Sequence, residues 1–362
     1  MHQVKRQPAF LTAVEIAEQV QTWLNSSSGL TRAVEKTVQA NLFSRQDIQF
    51  QLDVLRQTVT PEALTTWAER SGLQPGHLSR RRALCLHAGN LPLVGIQDLL
   101  VCLLTGISYT GKVSRKDPWL LPSLLNDLHS RLPDLNLTWS TDLEDLEGTR
   151  ADVVLFSGSD RSIPGVEELI RELSLAKTGA RRLIRTAKYS MACIDSDDPY
   201  SLSMLAEAVF RYGGQGCRSV AIVVAPFDLD EIKCEFTDYI ETFWLNQPQH
   251  KKPEPSLFYR YAYNRAVEHP QAWLDDFLIE QTRRKPDHDH LLTWIHDTPD
   301  IVPELEEWLG PELQSIYVPY RQLRIPGLQR EVEYLSEAQK PPIDWQPDGV
   351  DPVEWLLANI SQ

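Results

Sequence analysis

Cysteine is scarce in this chain and never closely paired: five residues among 362, Cys85, Cys102, Cys193, Cys217 and Cys234, an odd number with no CxxC spacing. Neither a disulfide framework nor a zinc site is indicated, and reduced thiols in the cytoplasm fit best. Long apolar runs are also missing. No segment reaches the roughly 18 apolar residues of a membrane span. The N-terminal MHQVKRQPAFLTAVEIAEQV lacks an apolar stretch ending in a small-residue cleavage site. A soluble, cytoplasmic protein is expected. Positive charge is in deficit, with 36 basic residues against 50 acidic ones and a formal charge of -14. That field repels phosphate backbones and anionic lipid at long range, so nucleic acid and membrane are poor partners. An anionic ligand would have to be held locally, by backbone N–H groups and a few Lys or Arg. Neither a repeat of fixed period nor a low-complexity tract is present.

What the chain does have is apolar content, 42% of its residues, enough at this length for a sizeable core and two domains. Up to Arg82 the apolar residues keep helical spacing (Val14, Ile16, Val20, Trp23, Leu24), which predicts several helices without evident chemistry. From Ala83 short apolar runs alternate with longer amphipathic ones: ALCLHAG then PLVGIQDLLVCLLTG, YTGKVS then DPWLLPSLLNDLHSRL, LNLTWS then a short acidic segment, DVVLFSG then SIPGVEELIRELSLAKTGA. This alternation is the pattern of βα units on a mostly parallel sheet, in outline a nucleotide-binding architecture. RLIR, YSMACID, a helical SLSMLAEAVFRY, the glycine-rich GGQGC and a strand SVAIVVAP follow, and a second domain is expected to begin near Lys188. Beyond Pro226, DLDEIKCEFTDYIETFWL and HPQAWLDDFLIEQTRR both read as amphipathic helices. The tail PPIDWQPDGVDPVEWLLANISQ carries turn signals before a short apolar helix. The expected division is residues 1–188, 189–335 and a returning tail, 336–362.

Cys217 lies in Y-G-G-Q-G-C-R-S, between a helical run and a strand run, where the glycines allow a sharp turn that presents the thiol with its own backbone N–H. A thiol so placed can attack a carbonyl, or it can be a small residue filling a tight turn. The other four cysteines sit in apolar runs or on an amphipathic helix and read as structural. In H-A-G-N-L-P, residues 87–92, Pro92 suits a first helical turn, and Asn90 can either cap that helix or donate its amide to a developing oxyanion. Lys112, Ser114, Arg115 and Lys116 close a strand run, at the strand end where ligands bind in open α/β sheets, though loop cations are also commonly just solvated. Ser157, Gly158 and Ser159 of FSGS can cradle a phosphate or cap the next helix. D-H-D-H at 287–290 is the His-rich cluster, and an exposed loop accounts for it without a metal.

In order, HAGNLPLVG, YTGKVSRKDP, VVLFSGS and YGGQGCRS resemble the aldehyde-dehydrogenase superfamily, and within it the LuxC-type acyl-CoA reductases that supply fatty aldehyde in bacterial luminescence. LQSI at 313–316 and the DG of QPDGVDP resemble late motifs of the same family. The resemblance implies an α/β fold of aldehyde-dehydrogenase type, with a nucleotide-binding open parallel sheet domain and a smaller α/β catalytic domain. It implies Cys217 as nucleophile, Asn90 as the amide polarising the carbonyl oxygen, and Gln215 as part of the cysteine loop. Lys112 and Ser114 would meet the adenosine ribose, and Ser157, Gly158 and Ser159 the phosphates and nicotinamide. Arg115 stands where users of NAD commonly carry Glu, which favours the 2′-phosphate of NADPH. RTAKYSMA stands where hydrolytic relatives carry Glu-Leu-Gly-Gly, so the water-activating carboxylate is missing. Reduction of an acyl-CoA to an aldehyde by NADPH is therefore expected, in preference to an aldehyde dehydrogenase forming free acid or a silent scaffold. Coenzyme A or an acyl-transferring partner protein would carry the acyl group, and a homo-oligomer is implied.

Overall fold

The structure, a computed structural model, describes residues 11–74, 76–247, 253–274, 276–287 and 289–360. It divides into two compact units, Met1–Thr186 with Pro342–Gln362, and Ala187–Pro341.

The first unit opens with α1 (Ala13–Ser26), α2 (Ser28–Gln39), α3 (Arg45–Thr58) and α4 (Pro61–Arg70). Each begins on a hydroxyl residue, Thr12, Ser27, Ser44 and Thr60, whose side-chain oxygen accepts a backbone N–H of the first turn. Such caps contribute about 1 kcal/mol apiece. Five strands follow, β1 (Arg82–Leu86), β2 (Ser108–Lys112), β3 (Leu137–Ser140), β4 (Ala151–Ser157) and β5 (Ala176–Arg185), interleaved with α5 (Ile96–Thr105), α6 (Leu120–Arg131) and α7 (Ile163–Glu172). All pairings are parallel, in the order β3-β2-β1-β4-β5. The strand period of two divides the side chains between two cores. Ala83, Cys85, Val153 and Leu155 join the core shared with α1–α6, while Leu84, Leu86, Val154 and Phe156 join the smaller core under α7.

α7 ends earlier than its sequence pattern predicts. Ser174 turns left-handed at φ 51, the Leu175 N–H closes onto the Ile170 carbonyl at 2.9 Å, and SLAKTGA passes into β5 instead of extending the helix. Burial of Leu175 accompanies the turn.

The second unit runs β6 (Tyr189–Cys193), α8 (Pro199–Phe210), β7 (Val220–Ala225), α9 (Leu229–Asn246), α10 (Pro255–Ala266), β8 (Gln271–Leu274), β9 (Phe277–Gln281), β10 (Leu291–His296), α11 (Val302–Leu309), β11 (Leu313–Val318) and β12 (Val332–Tyr334). Its sheet has the order β12-β11-β6-β7-β10-β9-β8, parallel except for β8 against β9. Here the reading of HPQAWLDDFLIEQTRR as a helix fails: the segment forms the β8–β9 hairpin. Ala272 and Leu274 alternate inward with period two, Phe277 to Glu280 are continuously buried, and the helix is α10, one segment earlier. The last helix, α12 (Pro352–Ile360), belongs to the first unit. Among the described residues no helix is long and apolar enough to cross a membrane.

Candidate functional site

In the first unit the sequence-derived residues gather on loops at the carboxyl ends of β1, β2 and β4, three neighbouring strands. These strand ends are where open α/β sheets take ligands. Lys112 is the last residue of β2, partly buried, with its pKa lowered by desolvation and by the charge of Arg115. Gly89 packs so closely on the next loop that a Cβ there would stand 2.1 Å from Ser114 Oγ and 2.9 Å from Lys116 Cβ. Gly158 is similarly confined by the Phe156 ring, 2.6 Å from where its Cβ would be, and its N–H donates to the Arg185 carbonyl at 3.1 Å. Ser159 starts the short 3-10 turn before α7, and its carbonyl accepts the Ser162 hydroxyl at 2.6 Å. A half-buried cation at the carboxyl end of a parallel strand, beside loops that pack closely through glycines, fits an anionic, phosphate-bearing cofactor.

Asn90 is not a helix cap. α5 starts only at Ile96 with Gly95 as its N-cap, and residues 92–95 form a turn in which Leu93 is held at φ 59. That conformation costs a non-glycine residue about 1 kcal/mol or more. Asp117 anchors it: buried, it accepts the N–H of Leu93 at 2.9 Å and that of Leu120 at 3.2 Å, so it ties the Asn90 loop to the start of α6. Burial pushes the Asp117 carboxyl up to about 6 despite those two donors.

Beneath the loop lies a buried polar chain; the sequence offers His87 as orienting the Asn90 loop or as a satisfied structural histidine, and gives no role to Tyr109, Asp98 or Arg185. His87 Nε2 meets the Tyr109 hydroxyl at 2.8 Å, its Nδ1 stands 3.7 Å from Asp98, and both Asp98 oxygens accept from Arg185 at 2.7 Å. Asp98 and Arg185 are 2% and 9% exposed. Desolvation lowers the His87 pKa to about 4, so the ring is neutral. Its bulk explains Gly95, where a Cβ would lie 2.5 Å from Nδ1. One signal was available in sequence: Asp98 is the single charge in IQDLLVCLLT, and a charge on a buried helix needs a partner.

In the second unit, α8 is followed, after Arg211, by three successive residues of positive φ, Tyr212, Gly213 and Gly214, at 58, 65 and 70. This is the sharp turn that the glycines predict, and it throws the chain onto Cys217, which is partly exposed. The loop is pinned from several sides. The Cys217 carbonyl accepts the Ser190 hydroxyl at 2.8 Å. Ser219 Oγ accepts from the Gly216 N–H at 3.2 Å and from Gln339 at 3.3 Å. Arg218, buried, donates to the Ala338 carbonyl at 2.7 Å, to the Glu337 carbonyl at 3.1 Å and to Glu333 at 2.7 Å, and stacks over Tyr317. Gln215 reaches Asp289 at 3.5 Å.

The other thiols differ. Cys85 and Cys102 are buried 3.8 Å apart, and burial pushes the Cys85 thiol well up; Cys193 is buried and pushed up to about 12; Cys234 is exposed on α9. Of the 287–290 cluster, His288 lies outside the described residues. Asp287 pairs with Arg260, and His290 is buried against Phe277 instead of exposed on a loop. Among the described residues no group of three His, Cys, Asp or Glu side chains is placed to hold a metal ion.

The parallel sheets are those of the aldehyde-dehydrogenase fold. The chain is similar to an oxidoreductase from Marinobacter aquaeolei (12% identity, TM-score 0.59, covering 91% of this chain and 79% of that one). It is also similar to aldehyde dehydrogenase 21 from Physcomitrella patens, solved with succinate (12%, 0.60, 98% and 85%), and to AldH from Staphylococcus aureus (11%, 0.53, 86% and 77%). No curated protein matches the sequence. Residues 11–257 match the family model of acyl-CoA reductase (LuxC), and the chain belongs to that family. It is thus an oxidoreductase of the acyl-CoA and aldehyde class.

Proposed function

We propose that this protein reduces an acyl-CoA thioester, with a fatty acyl chain, to the aldehyde through an acyl group carried on Cys217, with NADPH as reductant. The observation that carries the reading is the thiol itself: Cys217 stands partly exposed on a turn built from left-handed residues and pinned by Ser190, Ser219 and Arg218. A nucleophile held in one geometry avoids much of the entropic cost of reaching its carbonyl.

The Cys217 thiolate adds to the acyl carbon, and collapse of the tetrahedral adduct expels the thiolate of coenzyme A, which takes up a proton. Asn90, by the family resemblance, donates its amide to the oxyanion, a contribution of about 3 kcal/mol for one such donor. The dinucleotide, when bound, would supply the hydride that reduces the acyl carbon to the aldehyde, with Cys217 leaving as the thiolate. Lys112, Ser114 and Arg115 would hold the adenosine end, and Ser157, Gly158 and Ser159 the phosphate and nicotinamide side. Residues 185–192, RTAKYSMA, contain no carboxylate to activate water, which supports release as aldehyde over hydrolysis to acid.

The test is single-turnover capture. Wild type and Cys217→Ser are incubated with a radiolabelled long-chain acyl-CoA without reductant, and the protein mass is measured. An acyl adduct on wild type, absent from the variant and discharged as aldehyde by NADPH, is expected. A hydroxylamine-labile thioester adduct retained by Cys217→Ser overturns the assignment, and discharge as free acid favours a hydrolytic dehydrogenase.

A further inference from the structure

The third strand of the first sheet ends on a carboxylate that neither the family motifs nor the sequence pattern singled out. β3 lies at the sheet edge beside β2, with Ser140 in register with Lys112. Two residues on, Asp142 forms an ion pair with Arg115. Asp142 is held by its own loop: its N–H donates to Ser140 Oγ at 3.1 Å, and its carboxylate accepts the Thr141 hydroxyl at 3.0 Å. The Arg115 side chain is 78% exposed, against 39% for Asp142. The carboxylate is therefore the fixed member of the pair and the guanidinium the long arm that folds onto it. Lys112 feels both charges, Asp142 raising its pKa while Arg115 lowers it. Lys112 and Arg115 thus face Asp142 at this strand end, and on the same loop Asp145 accepts the Ser140 hydroxyl at 2.6 Å.

We propose that Asp142 is a specificity-determining residue for the nicotinamide dinucleotide, opposing the preference for the phosphorylated form that Arg115 confers. This rests on the reading of Lys112 to Arg115 as the adenosine site. A carboxylate accepts from a free ribose 2′-hydroxyl, whereas a 2′-phosphate needs a cation. Here the 2′-phosphate must take Arg115 from Asp142 and lie near a second negative charge. The wild-type preference for NADPH is therefore weaker than Arg115 alone would set.

The experiment is calorimetric titration of wild type, Asp142→Asn and Arg115→Gln with 2′,5′-ADP and with 5′-AMP, which needs no turnover. Asp142→Asn should raise the affinity ratio of 2′,5′-ADP to 5′-AMP by about tenfold, and Arg115→Gln should lower it. An unchanged ratio in Asp142→Asn, with the ratio still falling in Arg115→Gln, overturns the role of Asp142 and leaves the adenosine site standing. If wild type binds neither fragment nor NADPH, the adenosine site falls, and Asp142 with it.

Discussion

Replacing Asp98 with alanine removes the carboxylate bonded to a buried guanidinium and leaves Arg185 only the weaker field of Asp348. Arg185 donates to both Asp98 oxygens at 2.7 Å, and the two side chains are 10% and 3% exposed. At an effective dielectric of about 20, charges at this range attract by about 6 kcal/mol. Most of that offsets the desolvation of the two ions, so the pair as a unit adds little. Removing one partner is different, because the guanidinium stays buried without its counter-ion, at a cost of about 3–5 kcal/mol. Asp98→Ala should lower the melting temperature of the unit carrying β1 and α5 by about 6–20 °C, taking about 2–4 °C per kcal/mol for a unit of this size. Calorimetry gives the transition, and hydrogen exchange on β1 and α5 peptides identifies the unit that weakens. The double variant Asp98→Leu with Arg185→Met leaves no orphan charge and should recover to within about 1 kcal/mol of wild type. A fall of less than about 3 °C in the single variant, or no recovery in the double one, would refute this account.

Two buried groups give opposite pH dependences. His87 protonates near 6.5 when unfolded but near 4 when folded, so its contribution, about 3 kcal/mol, is complete above pH 6.5 and lost as pH falls to 4. Asp117, raised from 3.8 to about 6, acts the other way and removes a similar amount of stability as pH rises from about 4 to 6. Relative to wild type, His87→Gln should therefore gain about 3 kcal/mol on going from pH 7 to pH 4, measured by urea midpoints; parallel pH profiles would contradict the neutral, buried ring. Gly214→Ala places a Cβ at φ 70 and 3.1 Å from the Val209 carbonyl oxygen, so a loss of about 2 kcal/mol is expected, together with an altered alkylation rate of Cys217 by iodoacetamide. An unchanged rate would separate the turn from the thiol.

The legible parts of the sequence were those whose local pattern agrees with their surroundings. Strands β1, β2, β4, β6 and β7 are short apolar runs bounded by turn residues, and the glycines before Cys217 are needed for the left-handed turn they form. The β8–β9 hairpin was not legible because AWL and FLI, separated by two residues, satisfy a helical stripe as well as two strands; pairing with β10 decides the matter, and it is non-local. His290 lies among polar letters, yet its ring packs on Phe277 across the same sheet. Asp142 was invisible for a related reason: Arg115 is 27 residues away in sequence, and the edge of the sheet brings them together.

The first unit closes on the last segment of the chain. Gln97 donates to the carbonyls of Ile343 and Trp345, Trp67 and Arg70 bond Asp351, and Val353, Leu356 and Ile360 fill the core that α1 and α5 begin. Residues 187–341, which form the second unit, are made in between. During synthesis, then, the unit started first is finished last: the four capped helices and their sheet leave the ribosome with one wall of their core open and stay so while 155 further residues are added. The second unit, continuous in sequence, can be complete before that wall is closed. The interval in which the Trp67 and Leu99 surfaces wait for α12 is thus built into the order of the chain, and it is when a nascent molecule is most exposed to wrong partners.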